Sequence, residues 1–110
     1  MKRIDLKPLS TNKAWRGRHF DTPEKKRYAI ALKKQLEGCI LADCIAPYEI
    51  HWNLYIPKAM DYDNAIKCTQ DLICSHFWID DKDIYKAIIT KYPTKKDHYF
   101  EVDILTYNFN

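Results

Sequence analysis

The chain has 110 residues, of which 46% are hydrophobic, and it contains three Trp, eight Tyr and four Phe but only two Gly. This apolar material is enough for one packed core, and the length is too small for two, so we expect a single domain over residues 1–110 and exclude a disordered chain. The net charge of +3 is too small to identify a nucleic-acid-binding protein by itself.

The charged residues are unevenly distributed along the chain. Eleven Lys and Arg residues fall within the first 34 positions, whereas six aspartates lie between positions 61 and 83. A basic first third and an acidic centre suit a protein that binds a polyanion with one region and a cation with another. A solvated basic helix beside an acidic loop explains the same distribution equally well.

The cysteines and the apolar segments indicate a cellular compartment. Four cysteines, at positions 39, 44, 68 and 74, are too widely spaced for the paired ligands of a structural zinc site, so we expect reduced, mostly buried thiols. The start of the chain has no apolar run like that of a secretory signal, and no segment has the length of a membrane span. A cytoplasmic protein without a membrane partner is therefore expected.

The first elements are predicted from apolar spacing and capping residues. Ile4, Leu6 and Leu9 alternate with polar residues and favour a short edge strand, and residues 13–20 form a loop rich in Arg and aromatic residues. A helix is predicted to begin at Pro23, preceded by Thr22 as its N-cap and stopped by Gly38. Its predicted apolar positions are Tyr28, Ile30, Ala31, Leu32 and Leu36.

The clearest predicted strand runs from Tyr48 to Ile56, where apolar and polar residues alternate as in a half-buried strand. The remaining predicted elements are a second helix at residues 64–76, an acidic turn at 80–83 and two strands at 84–91 and 99–107. The resulting order of β, α, β, α, β, β indicates an α/β domain, with a mixed β-sheet and two main helices packed on it.

Two carboxylates, Asp61 and Asp63, stand just before the second predicted helix. Alternate side chains of an extended segment point the same way, so these two can share one cation. Mg²⁺ takes oxygen ligands and is usually bound by only one or two protein carboxylates. Asn64 as the helix N-cap would leave both free. An EF-hand loop is excluded, because Ile66 and Leu72 occupy the positions of its Gly and Glu.

Lys67 lies in the first turn of the predicted helix, where a cation opposes the helix dipole. Two interpretations are open: it pairs with Asp63 and Asp71, four residues away on either side, or it faces a phosphate held on a metal ion. Asp80 and Asp81 complete an acidic set if the helix returns the chain to the first two carboxylates. A solvated acidic turn is the ordinary alternative.

One motif combines the sequence Asp-Tyr-Asp-Asn at residues 61–64 with Lys67, Asp71 and the Asp80–Asp81 pair. This set resembles the signature of the RusA family of Holliday junction resolvases. The sequence from Lys7 to Tyr28 is similar to the opening of many phage-encoded members. The resemblance extends over nearly the whole chain.

The resemblance implies a homodimer that binds a four-way DNA junction and nicks two strands by hydrolysis, using Mg²⁺ or Mn²⁺ and no small-molecule cofactor. Asp61, Asp63 and Asp81 would be metal ligands, with Asp80 as the alternative to Asp81, and Lys67 would be the catalytic lysine. The expected DNA-binding residues are Lys13, Trp15, Arg16, Arg18, Lys25 and Lys26. The setting would be a bacterial cell, with the gene carried by the host, a phage or a prophage.

Two other classes of protein remain open. A non-catalytic DNA-binding module could use the basic and aromatic residues near Trp15, with a purely structural acidic cluster. Against it, several carboxylates near the path of the DNA would repel phosphate unless a cation lay between them. A sugar or nucleotidyl transferase could use Asp61 and Asp63, but 110 residues leave little room for a nucleotide-binding domain.

Overall fold

The structure is a computed structural model that describes residues 2–11, 15–16, 20–41 and 44–109, with only the backbone considered at residues 15–16 and 20–21. The described strands are β1 (Lys2–Ile4), β2 (Trp15–Arg16), β3 (Phe20–Asp21), β4 (Tyr48–Ile56), β5 (Ile84–Pro93) and β6 (Tyr99–Thr106). The described helices are α1 (Pro23–Leu36), α2 (Tyr62–Phe77) and a 3₁₀ turn (Asp81–Asp83).

The main sheet has four strands in the order β1-β6-β4-β5. β6 pairs antiparallel with both β1 and β4, whereas β4 and β5 are parallel. Parallel strands need a crossover connection, and α2 provides it. The predicted mixed sheet with two main helices is therefore confirmed. α2 lies between the two parallel strands in the chain, with the predicted acidic site residues near its two ends and Lys67 within it.

The core lies between one face of the sheet and the two helices. Four alternate residues of β4 are buried there, namely Ile50, Trp52, Leu54 and Ile56, as the alternating pattern of this strand predicts. Buried residues of β6 and of the helices face them, including Phe100, Leu32 and Ile73. The bounds of β4 are those predicted from the sequence.

Helix α1 begins as predicted, because the Thr22 hydroxyl accepts a hydrogen bond from the Lys25 backbone N–H at 3.2 Å. It ends at Leu36, and Gly38 follows with a φ of 78°. The prediction that Ile30 belongs to the apolar face is wrong, since its side chain is exposed. The buried residues of α1 are spaced four apart, and a residue two positions away points to the other side of the helix.

Helix α2 begins two residues earlier than predicted, at Tyr62, with Asp61 as its N-cap. The expectation that Asn64 caps the helix is therefore wrong, as is the expectation that Asp61 and Asp63 alternate on one extended segment. Asp63 lies in the first helical turn, where a carboxylate is stabilised by the helix dipole. Lys67 consequently lies two residues further from the helix start than the sequence suggested.

Other boundaries differ by a few residues. β1 ends at Ile4, and Leu6 and Leu9 pack against the core outside it. β2 and β3 pair antiparallel within the segment predicted as a loop. β5 runs to Pro93 and β6 ends at Thr106, close to the predicted bounds. Among the described residues, no helix has the length and apolar character to cross a membrane.

Candidate active site

An open groove runs along the outer side of α2 and reaches the 3₁₀ turn that follows it. Its larger part, about 820 Å³, is lined by residues that include Lys67, Asp71, Trp78 and Asp81. A smaller adjoining part of about 220 Å³ shares three of these residues and adds Asp63. We call the two parts together the charged groove. The fold thus brings Asp63, Lys67 and Asp81 to one surface.

Lys67 forms one ion pair, with its Nζ 3.7 Å from Oδ2 of Asp71. The predicted partner Asp63, one turn earlier, is not within ion-pair distance. The Lys67 side chain is 64% exposed, whereas that of Asp71 is 35% exposed. The ammonium group is therefore held at one side by Asp71 and remains open to the groove, where an anionic ligand can reach it.

Asp71 and Asp81 both line the groove. Partial burial raises the pKa of Asp71, the positive charge of Lys67 lowers it, and the charge and a hydrogen bond of Asp81 raise it again. Burial, followed by the nearby Asp81, also raises the pKa of the Cys74 thiol to about 12. Two carboxylates of like charge in contact repel each other unless a proton or a cation lies between them.

Asp80 and Asp81 have different surroundings, although they are adjacent in the sequence. The Asp80 carboxylate caps the 3₁₀ turn, accepting a hydrogen bond from the Lys82 backbone N–H at 3.2 Å. Its second oxygen lies 3.8 Å from Nζ of the same lysine. Asp81 instead interacts with Asp71 and Cys74 in the groove. Both aspartates line the larger part of the groove, but the Asp80 carboxylate is engaged in capping the turn.

Asp61 is exposed, and its side chain makes no capping hydrogen bond to α2. It follows a turn in which the Met60 N–H donates to the Pro57 carbonyl at 3.0 Å. Nζ of Lys91, on β5, donates to the carbonyls of Lys58 at 2.8 Å and Met60 at 2.6 Å. Because the Met60 carbonyl and the Asp61 N–H share one planar peptide group, Lys91 fixes the orientation of the chain entering Asp61.

The predicted DNA-binding residues are only partly described. Lys26 is exposed on the first turn of α1, and the positive charge of Lys25 acts on Asp71, which relates this helix to the groove. Lys13 and Arg18 lie outside the described residues. The side chains of the two remaining predicted residues, Trp15 and Arg16, also lie outside the described part of the chain.

Sequence reasoning missed two residues of this region. Trp78 follows α2, lines the charged groove and is 95% exposed. Lys91 falls within a predicted strand, and the sequence predicts no further role for it. No local sequence signal identifies either residue, because the role of Lys91 depends on strand pairing and the exposure of Trp78 depends on how α2 ends.

The chemical capacity of the groove lies in its carboxylates and its lysine. Within the described ranges, no three or more His, Cys, Asp and Glu side chains converge closely enough to hold a metal ion. Asp71 and Asp81 both line the groove, and Lys67 forms its ion pair with Asp71. Carboxylate oxygens and an ammonium group are the side-chain types that position phosphate and its counterions.

These features define a small α/β protein with an open, charged groove suited to a phosphate-containing ligand. A family model described as Endodeoxyribonuclease RusA matches residues 7–104. The match covers most of the chain, so the chain belongs to the RusA endodeoxyribonuclease family. Membership indicates an endodeoxyribonuclease that acts on Holliday junctions, as the sequence motif predicted. A search of curated proteins finds no significant match.

Proposed function

We propose that this protein resolves four-way DNA junctions by Mg²⁺-dependent hydrolysis of phosphodiesters, in the service of DNA recombination and repair. The observation that carries the proposal is that Asp63, Asp81 and the exposed ammonium of Lys67 line one groove, in a chain of the RusA family. Carboxylates and an exposed ammonium form a surface where a cation and a phosphate can be bound side by side.

The carboxylates that line the charged groove are the ligand type that a magnesium ion prefers. Mg²⁺ is usually bound by one or two carboxylates, with water and substrate phosphate completing its shell. We propose Asp63 and Asp81 as its ligands, joined by Asp61 at the start of α2, with Asp80 as the alternative to Asp81. The capping bond of Asp80 and the groove-facing contacts of Asp81 support this order of preference. Mn²⁺ is expected to replace Mg²⁺.

Hydrolysis needs a nucleophile, stabilisation of charge and a fixed substrate. A bound Mg²⁺ would polarise the phosphate and lower the pKa of a coordinated water. Lys67 would donate to a non-bridging phosphate oxygen, where negative charge develops as water attacks phosphorus. Asp71 would hold the lysine in position through the ion pair. The attacking oxygen comes from water and the strand leaves as an alcohol, so no covalent protein intermediate forms.

The basic residues in the N-terminal part of the chain would bind the DNA. Lys25 and Lys26 lie in the first turn of α1, and the charge of Lys25 acts on Asp71 in the groove. We propose that both lysines contact phosphate. The other proposed contacts are Lys13, Trp15, Arg16 and Arg18. A four-way junction has two equivalent strands to cut, so we propose that the protein acts as a homodimer with one groove for each strand. We place this reaction in the bacterial cytoplasm, with phage or prophage origin open.

The direct test is cleavage of a synthetic four-way junction, compared with a linear duplex of the same arm sequence. Mg²⁺ and Mn²⁺ should support cutting of the junction, whereas Ca²⁺ should support binding with little turnover, because it fits the same oxygens at longer distances. Asp63→Asn should abolish cutting while it preserves or tightens binding, since it removes a charge that repels phosphate. Full activity in excess EDTA would contradict the metal mechanism.

A further inference from the structure

Trp78 has an unusual position for so large an apolar side chain. It is the C-cap residue of α2, and its side chain is 95% exposed to solvent. The next residue, Ile79, is buried, and its N–H donates to the Cys74 carbonyl at 2.8 Å. The turn is therefore anchored in the core while the indole ring projects from it.

The backbone of Trp78 is also strained. Its φ of 60° and ψ of 38° lie in the left-handed region, which glycine adopts without strain and bulky residues rarely adopt. Helices commonly end with glycine at such a position. A tryptophan here gains nothing from burial and is strained, so the fold alone gives no reason for its presence.

The ring borders the groove that the proposed function assigns to DNA. Trp78 lines the charged groove together with Lys67 and Asp81. It also borders a second, more apolar groove between α1 and α2, of about 400 Å³. Asp80 and Asp81 line this groove together with the ring, and the indole itself has no charge with which to bind a phosphate. An uncharged aromatic ligand suits this position better.

We propose that Trp78 stacks on an unpaired nucleobase of a branched DNA whose phosphate lies further along the charged groove. Stacking on aromatic side chains is available to every base, but only to bases that are not enclosed in a continuous duplex. The residue would thus favour DNA with a branch point or a single-stranded segment over intact duplex. This inference rests on the proposed function, since it takes DNA to be the ligand of the groove.

The test separates binding from folding with one substitution. Trp78→Gly removes the ring and relieves the left-handed strain, so the melting temperature should stay level or rise. Affinity for a dye-labelled four-way junction, measured by anisotropy in Ca²⁺, should fall about fivefold or more, as expected for one lost base stack. Trp78→Phe should keep most of the affinity. Trp78→Asn is a second variant for the same test, because asparagine also tolerates a left-handed backbone.

Asp97 supplies the matched control, because it is the other described non-glycine residue with a φ of 60°. Asp97→Gly should relieve the same kind of strain and leave junction binding unchanged. A linear duplex should lose less affinity than the junction on Trp78→Gly. A 2-aminopurine base at the branch point should be quenched by the unmodified protein and not by Trp78→Gly.

Three results would overturn the stacking role: unchanged junction affinity of Trp78→Gly, an equal loss on junction and duplex, or poor binding by Trp78→Phe together with normal folding. Failure of the proposed function is a distinct result. A protein that binds the junction but never cuts it would refute the nuclease and leave the role of Trp78 testable by the same binding series. A protein that binds no DNA would refute both.

Discussion

Lys67→Ala separates a structural lysine from a catalytic one, because the structure sets the stability cost of the change. The ion pair with Asp71 spans 3.7 Å, the lysine is 64% exposed, and the pair joins positions i and i+4 with the lysine first. Such pairs contribute roughly 0.2–0.5 kcal/mol, and this order along the helix is the less favourable one. The melting temperature should therefore fall by no more than about 2–4 °C.

The effect on rate should be far larger if Lys67 stabilises the developing charge on phosphate. Loss of a preorganised donor of this kind typically lowers the rate by roughly a hundredfold or more, about 2.7 kcal/mol. Single-turnover cleavage of a labelled junction, beside thermal melts, measures both quantities. Lys86→Ala is the matched control, since Lys86 on β5 is also exposed, its Nζ lies 4.0 Å from a carboxylate oxygen of Glu49 on β4, and it does not line the groove. A normal rate for Lys67→Ala would refute the catalytic role.

Two further predictions concern residues behind the site. Lys91→Met frees the turn before Asp61, so half-maximal cleavage should need about tenfold more Mg²⁺, with Lys91→Arg intermediate; an unchanged titration would contradict this positioning. Tyr28→Phe removes a buried 2.7 Å hydrogen bond to Thr69 and should cost about 1 kcal/mol at pH 8 by chemical denaturation. Burial raises the pKa of Tyr28, so the extra free energy of unfolding that Tyr28 provides over Phe is complete below about pH 10, the phenol's ordinary pKa. It should decline above that pH, and a difference in unfolding free energy that stays constant up to pH 11 would be inconsistent with this.

Sequence patterns predicted the elements that have one dominant local signal. β4 alternates over nine residues, and α1 carries a Thr–Pro start, so both were located at their observed beginnings. The start of α2 was missed, because Asp61 and Asn64 are both favourable N-cap residues and the sequence cannot choose between them. That choice matters, since it places Asp63 on the helix rather than in an extended segment.

The site was predictable in its residue types and less so in its contacts. The approach of the 3₁₀ turn to α2 depends on how the helix ends, so the presence of Asp71 and Asp81 in one groove could not be derived from spacing. Asp71 was expected only as an ion-pair partner of Lys67, and that pair is confirmed. Trp78 was missed because a left-handed helix end is normally signalled by glycine.

The measurement that tests the central claim most directly is single-turnover junction cleavage in Mg²⁺ by Asp81→Asn beside Asp83→Asn. Both substitutions remove one negative charge from the same 3₁₀ turn, but only Asp81 interacts with Asp71 in the charged groove. The proposal predicts that Asp81→Asn loses cleavage by at least about a hundredfold while it still binds the junction, and that Asp83→Asn cuts normally. Normal cutting by Asp81→Asn, or equal losses in both variants, would contradict an active site in this groove.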